Sequence, residues 1–554
     1  MKIQMASFSI PRSNLTYTPY SSAALESHVK KQPNMPEMDF QTPLYKYEDE
    51  PLPDMDILGF TAYVWSQDHV DVLAREYKEK YPNCKIIYGG PNIPVTPAEW
   101  LQYEGERPFV DVFVAGSGEE IFTQILREYP NFSQKWYKLN KDNRYKYETP
   151  TPYTDGTMDY FINHPTEKFT AVFESNRGCP FKCAYCDWGD ATGSVVSKYE
   201  DDINTKTLDI ILQSQSFDGV KIIDANWGMY ERDLEMTKFI RDNRRDDVYV
   251  SLCGTAKNSI KYVPEISKIF YDNNFNAENG QWTPLKLGIQ TWCEETLKYN
   301  DRSNIKTEQL EYLLEYYKEN NIPYHSEMIV GLPGETSETW LYTLDKDFGH
   351  EVETLAFHAL EAVPNMPLLL NKREEYDLEV FKFYADRESV YNTTNKRFHR
   401  DRDKVYPKFD IERDRKDLSS KDVIVSCFSY DKEELLKIYD YTWWMNTFYN
   451  TRLLTDIKKP SEEIKEFFAN LDSMPFWKML VENHRQCWRE AMIDGEIRSA
   501  RAIRYWFHTM FRSDELMLIA ENFELAEKEL GRKLTPIKKS LRLYDFEFTT
   551  HIHI

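Results

Sequence analysis

The strongest constraint on the fold is a strand–helix alternation that runs along the chain in two blocks. In the first, "MDILGFTAYV" (55–64) is an apolar, β-rich run. "SQDHVDVLAREYKEKYP" (66–82) comes next with helical periodicity, which puts Val70, Leu73, Ala74 and Tyr77 on one face and His69 on the exposed side. "KIIYGG" (85–90) reads as a short buried strand ending in two glycines. "TPAEWLQYEG" (96–105) reads as a short helix with Thr96 as N-cap and Pro97 in the first helical position. "VDVFVAGSGEEIFTQILREY" (110–129) is strand, glycine loop, helix. This rhythm predicts a doubly wound parallel sheet. Such sheets take ligands in the loops at the carboxyl ends of their strands. Here those loops are Thr61–Trp65, Gly89–Pro94 and Gly116–Glu119.

A polar stretch rich in Tyr, Lys and Pro (131–165) shows no periodicity and reads as a linker. The alternation then resumes with six strand candidates: "KFTAVFES", "GVKIIDANWG", "VYVSLCG", "LKLGIQT", "PYHSEMIVGLPG" and "TLAFHALEAVP". Helical stretches such as "KTEQLEYLLEYYKENN" (306–321) separate them. Six strands in a βα series predict a partial, TIM-like (β/α)6 barrel with its chemistry at the carboxyl-end loops. Beyond it, "NKRFHRDRDKVYPKFDIERDRKDLSSKD" (395–422) carries both signs of charge and reads as solvated loop and surface helix. The region after 430 is mainly helical. The expected organisation is an α/β chain: an N-terminal sheet domain (1–135), a linker (136–167), the barrel (168–370) and a charged, helical C-terminal region (371–554) that could cover a substrate.

Bulk composition narrows the class. A chain of 554 residues is too long for one core. No window approaches the ~20 apolar residues of a membrane helix, and "MKIQMASFSIPRSN" lacks a signal-peptide core. A cytoplasmic protein without membrane contact is expected. A net charge of −22 disfavours non-specific binding to nucleic acid. Eight cysteines in so long a chain do not make a disulfide framework.

Three of the eight sit in "NRGCPFKCAYCDWG" (176–189): Cys179, Cys183 and Cys186, spaced C-x3-C-x2-C. Structural zinc normally takes four N or S ligands, and no fourth Cys or His stands nearby; His164 and His325 are distant in sequence. A redox pair of Cys183 and Cys186 leaves Cys179 unexplained. A [4Fe–4S] cluster held by three thiolates leaves its fourth iron open to a substrate or cofactor, whereas four cysteines close the cluster for electron transfer.

With Tyr185 before the last cysteine and the loop at the end of a first barrel strand, this segment resembles the radical S-adenosylmethionine (SAM) superfamily. The resemblance implies that the open iron binds SAM and that one electron cleaves it to a 5′-deoxyadenosyl radical. "IIDANWG" (222–228) loosely resembles the family's second-strand motif, which places Asp224 and Asn226 near the SAM amino group. "LGIQTWCEETLKYNDR" (287–302) resembles its "GIQS…L…R" segment, which puts Gln290 and Arg302 by the amino-acid portion of SAM. A guanidinium suits a carboxylate because it makes two parallel charged hydrogen bonds. "SEMIVGLPGET" (326–336) resembles the fifth-strand element beside adenine and ribose, through Gly331. By the same resemblance Tyr185 is a SAM contact. The ordinary structural reading of Gln290 is a satisfied strand-end amide, and that of Arg302 a surface salt bridge.

The N-terminal block, with "W", "GG-P" and "G-GE" in order, resembles the cobalamin-binding domain found upstream of such barrels. It implicates Thr61, Gly89, Gly90, Pro91, Gly116, Gly118 and Glu119 as cobalamin contacts. The cobalt-ligating D-x-H-x-x-G is absent, and "QDHVDV" has Asp and His adjacent. "AVPNMPL" (362–368) and "DVIVSCFSY" (422–430) resemble the segments C-terminal to the barrel in these proteins.

Together these resemblances imply a cobalamin-dependent radical SAM enzyme, with methyl transfer to an unactivated carbon through the 5′-deoxyadenosyl radical and methylcobalamin as the leading reading. The implied cofactors are a [4Fe–4S] cluster, SAM and cobalamin. The implied partners are a small-molecule or peptide substrate and an electron donor such as flavodoxin or ferredoxin. Alternatives are a radical SAM cyclase, oxidoreductase or rearranging enzyme with structural or absent cobalamin, and a non-catalytic iron–sulfur protein. No catalytic side chain is singled out. The aromatic stripes 439–450 and 503–511 read as core.

Overall fold

The computed structural model describes residues 1–9, 15–138, 151–188, 196–255, 260–275, 277–278, 281–282, 285–302, 306–386, 418–494 and 513–535. Six parallel strands form the N-terminal sheet: β1 (Lys2–Ala6), β2 (Asp39–Phe40), β3 (Ile57–Thr61), β4 (Lys85–Gly89), β5 (Val112–Ala115) and β6 (Trp136–Lys138). Their order is β2-β1-β3-β4-β5-β6. The chain winds from β1 outward to β2, then returns to build β3 to β6 on the other side. The switch point therefore lies between β1 and β3, where such sheets open a crevice.

Side chains alternate along each strand. Ala6, Leu58, Phe60, Ile86, Tyr88 and Phe113 pack beneath α2 (Gln67–Lys80) and α3 (Pro97–Glu106) on one face. Ile3, Met5, Ile57, Ile87, Val112 and Val114 pack beneath α1 (Tyr20–Lys30) and α4 (Glu119–Glu128) on the other. A doubly covered sheet follows from that period of two.

The structure extends the expected sheet at both ends. β1 and β2 come from a stretch without strong strand signals, and Trp136–Lys138, within the stretch read as linker, is an edge strand. Tyr153, Met158 and Phe161, around the short α5 (Asp159–Ile162), are buried in the barrel core; residues 139–150 lie outside the described residues. His69 is a correction. It is 4% exposed, between the rings of Phe8 (4.8 Å) and Tyr47 (4.9 Å). The periodicity of one helix reveals its inward face but not the segments from elsewhere in the chain that cover its other side.

The barrel strands are β7 (Phe169–Phe173), β10 (Phe217–Ile222), β11 (Tyr249–Leu252), β14 (Leu285–Gln290), β15 (Tyr324–Val330) and β16 (Thr354–Ala359). They form two parallel three-stranded sheets, β11-β10-β7 and β14-β15-β16, joined where Thr255 Oγ1 donates to the Lys286 carbonyl at 2.6 Å. Helices α6 (Asp201–Gln213), α7 (Glu231–Asn243), α8 (Val263–Asp272), α9 (Glu294–Tyr299), α10 (Thr307–Glu319) and α11 (Ser337–Gly349) alternate with them. Two small antiparallel pairs decorate the barrel: β8 (Asn176–Arg177) with β9 (Ser197–Lys198) beside the cysteine loop, and β12 (Ala277–Glu278) with β13 (Gln281–Trp282). A short α12 (Pro367–Asn371) comes after β16.

β17 (Glu379–Asp386) pairs antiparallel with β18 (Leu418–Ser426), which packs on α2. Of the charged stretch 395–422, only 418–422 is described, and it is strand rather than surface helix. The helix Lys432–Trp444 continues into a π-helical turn, Met445–Asn450. Tyr439, Trp443, Trp444 and Phe448 in this stripe are buried. Trp340 Nε1 of α11 donates to Thr442 Oγ1 at 2.9 Å, and the Asn450 amide exchanges two hydrogen bonds with the Leu355 backbone at 2.9 Å each. The aromatic stripe is core that seals the outside of the barrel. The second stripe, 503–511, lies outside the described residues.

Candidate active site

The three cysteines sit on the loop that leaves β7. Asp224, at the end of β10, holds the start of that loop. Its carboxyl oxygens accept from Ser175 N at 2.8 Å and from Asn176 N and Nδ2 at 3.3 and 2.7 Å, and bond the Ser175 hydroxyl. Burial pushes the Asp224 carboxyl up to about 7, against these hydrogen bonds. The structure thus gives Asp224 to the cysteine loop. Gly178, with φ at +100°, turns the backbone just before Cys179, a conformation glycine adopts freely. The far side of the loop is pinned at Ala184, whose N–H donates to Asn300 O and whose carbonyl accepts from Leu368 N, both at 2.8 Å.

Two of the expected SAM residues converge on the thiols. Asn226 Nδ2 lies 3.1 Å from Cys179 Sγ, and Arg302 Nη1 lies 3.7 Å from Cys183 Sγ. Arg302 also donates to the Tyr185 hydroxyl and to the Gly288 carbonyl. Its place is therefore beside the cysteine loop. Burial, with Asp187 next to it, pushes the Cys186 thiol up. Among the described residues no three His, Cys, Asp or Glu converge as ligands of one ion would. The N–H donors on two of the sulfurs fit the negative charge that metal-bound thiolates carry.

Gln290 ends β14 with φ at +72°, 2% exposed, and its Oε1 has no hydrogen-bond partner among the described residues. A non-glycine residue in that conformation with an orphaned buried oxygen is strained in the manner of a ligand contact. A Cβ at Gly331 would meet Leu435 Cδ1 at 3.1 Å and the Tyr430 hydroxyl at 3.3 Å, and that hydroxyl donates to the Gly331 carbonyl.

All seven residues expected to touch cobalamin line one cavity of about 310 Å³. Its other wall belongs to the barrel: Glu174, Arg177, Gly178, Asp187, Trp188, and Cys253. The cavity opens from the ends of β1 and β3 at the switch point. Gly116 has φ at +86° and nothing within 4 Å of where a Cβ would stand. Glu119 is 3% exposed and its Oε2 has no partner among the described residues. A cradle that no side chain fills and an orphaned buried oxygen fit a bulky ligand rich in amide and hydroxyl donors.

Sequence reasoning missed the residues that join the two walls. Arg177 grips Glu174 through two parallel bonds of 3.0 and 2.9 Å and reaches Glu119 at 2.6 Å. Asn365, 1% exposed, bonds the backbone of the loop after β4. Arg177 stands two residues before Cys179, and Asn365 lies within "AVPNMPL"; those positions were the available signal, but partners 58 or more residues apart have no local pattern.

Residues 173–346 match the model of the radical SAM superfamily. The barrel is a radical SAM domain. Over 386 residues the chain is 30% identical to the cobalamin-dependent radical SAM methyltransferase TokK of Streptomyces tokunonensis, covering 63% of this chain and 54% of that protein. It is 28% identical over 382 residues to 2-(S-pantetheinyl)-carbapenam-3-carboxylate methyltransferase of Streptantibioticus cattleyicolor, covering 64% and 54%. The chain thus spans about half the length of these relatives. Among solved structures it resembles the radical SAM methyltransferase TsrM of Kitasatospora setae, with a TM-score of 0.47, 13% identity, and coverage of 71% of this chain and 79% of that one. The chain thus carries a radical SAM domain at residues 173–346 and is similar, over about two thirds of its length, to cobalamin-dependent radical SAM methyltransferases. Among the described residues no helix is long and apolar enough to cross a membrane.

Proposed function

We propose that this chain is a cobalamin-dependent radical SAM methyltransferase acting on an unactivated carbon of a small molecule. The observation that carries the reading is the shared cavity, with the N-terminal glycine loops on one wall and the cysteine-loop residues Arg177, Gly178, Asp187 and Trp188 on the other. Two cofactors placed on those walls face each other across a space for substrate. When bound, the cluster would supply one electron to cleave SAM to a 5′-deoxyadenosyl radical, and cobalamin would supply the methyl group.

The chain's own residues do the placing. Cys179, Cys183 and Cys186 would hold the cluster, with Asn226 and Arg302 donating to its sulfur ligands. Gln290 and Arg302 would orient SAM, and Tyr185 would back the Arg302 guanidinium. Thr61, Gly89, Gly90, Pro91, Gly116, Gly118 and Glu119 would receive cobalamin. Asp224 acts one step away, by setting the loop. The names of the two relatives support methyl transfer, and their activities are carried here as part of this proposal. So are an electron donor of the flavodoxin or ferredoxin type, a cytoplasmic setting and the absence of nucleic-acid contacts. The acidic net charge of −22 supports the last.

The test is anaerobic purification from a cobalamin-fed host, with cobalamin and iron measured together. Near one cobalamin and about four irons per chain, with a methylated product from SAM, would support the reading. A full cluster, 5′-deoxyadenosine formation and no cobalamin would overturn it in favour of a cyclase, oxidoreductase or rearranging enzyme.

A further inference from the structure

The segment "AVPNMPL" (362–368), between β16 and α12, carries a role of its own. Three backbone regions distant in sequence meet on it. Ala362 N donates to Asp422 O of β18 at 2.7 Å, and Leu368 N donates to Ala184 O within the cysteine loop at 2.8 Å. Between them, Asn365 is aimed at the N-terminal domain. Its Nδ2 donates to Pro91 O at 2.7 Å and to Ile93 O at 2.9 Å, and its Oδ1 accepts from Val95 N at 3.0 Å. Side-chain amides offer two donors and an acceptor, and here each is used on main chain of one loop.

That loop is held partly from within its own domain, where Asn92 N donates to Ala62 O at 3.1 Å and Ile93 N to Gly90 O at 3.2 Å, and partly by this contact. It leaves β4 through Gly90, whose φ is +105° and where a Cβ would stand 2.7 Å from Ala62 O. Loops satisfy buried main-chain groups from whatever lies near; for the Pro91 and Ile93 carbonyls and the Val95 N–H the supplier is the barrel. Asn365 and Leu368 are three residues apart, so the main chain they hold on the two loops is separated by at most ~10 Å of connecting backbone. Arg177 makes the parallel connection, from the barrel to Glu119 in the loop after β5.

We propose that Asn365 is a positioning residue for the N-terminal cofactor. It fixes the Gly89–Val95 loop in its receiving conformation and, through the same rigid turn, sets that loop against the cysteine loop. The cofactor's identity rests on the cobalamin reading above; the latch itself does not. The N-terminal sheet is then not a self-sufficient binding module, because its second glycine loop takes part of its shape from the barrel.

The test uses the full chain with its cluster, as wild type, Asn365→Ala and Asn365→Asp. Titration with hydroxocobalamin, followed by absorbance, should show Kd raised about tenfold or more by Asn365→Ala, with iron content and SAM cleavage retained. Asn365→Asp faces two carbonyl oxygens with a carboxylate. Its affinity should fall as far and recover as pH is lowered from about 8 to about 6, where a protonated acid can donate again. Hydrogen exchange without cobalamin should show the amides of Asn92, Ile93 and Val95 losing protection in Asn365→Ala while Ile57–Thr61 keeps it. Unchanged Kd or unchanged protection at 92–95 overturns the proposal. Equal loss at Ile57–Thr61 also overturns it, since Asn365 would then serve the fold at large. If wild type takes up no cobalamin, the cofactor reading fails, and hydrogen exchange alone decides whether Asn365 holds the loop.

Discussion

Glu335, in the "GLPGET" turn after β15, should make the stability of this protein fall as pH rises toward neutrality. Its carboxyl is fully buried. Oε1 is approached by Thr291 Oγ1 at 3.3 Å and Thr339 Oγ1 at 3.4 Å, and Oε2 has no partner among the described residues. Two long hydrogen bonds do not offset desolvation of a carboxylate, so burial pushes this group from 4.5 up to about 8. In the unfolded chain it ionises near its ordinary value. The stability it allows is therefore fully present below about pH 4.5 and is lost as pH rises through about 8. At ~1.4 kcal/mol per tenfold change, ~3 kcal/mol of that loss falls between about pH 5 and about pH 8. Glu335→Gln keeps the shape and cannot ionise. Buried Asp224 and Asp347, both pushed up to about 7, titrate alike in the two proteins and cancel in the difference. Thermal unfolding of wild type and Glu335→Gln should therefore diverge steadily from pH 5 to 8, with the variant gaining at the alkaline end. A gap that stays constant across that range would refute the argument, because the carboxyl would then already be ionised in the fold.

Two further predictions concern the cofactor sites. Replacing Arg302 by Gln removes the charged donor beside Cys183 and should raise the Kd for SAM about tenfold or more while leaving iron content intact; equilibrium SAM binding measures it, and unchanged affinity would return Arg302 to a structural role. Gly90→Ala places a Cβ 2.7 Å from Ala62 O at a φ of +105°. That strain, of order 1–3 kcal/mol, should reduce cobalamin uptake and spare 5′-deoxyadenosine formation, and equal loss of both would show a general folding defect instead.

What the sequence disclosed depended on range. Strands of the barrel were legible because each is a short apolar run set between helical periods, and the period survives any tertiary context. The cysteine loop was legible because its ligands lie within eight consecutive residues. β1 and β6 were not, because "KIQMA" and "WYK" become strands only when a neighbour supplies the ladder. Asp224 shows the same limit in a functional position. Its place in "IIDANWG" suggested a cofactor contact, but nothing local to it shows that both oxygens also bond Ser175 and Asn176, nearly fifty residues earlier. His69 failed for the converse reason, since Phe8 and Tyr47 bury a face that its own helix leaves open. The cavity unites these cases. Each of its walls was readable from a local motif, whereas Arg177–Glu119 and Asn365–Pro91, which hold the walls together, are choices of partner across 58 and 274 residues. On the proposed function the chain depends on that second kind of information, because a substrate between two cofactors would react only when both are held at a set distance.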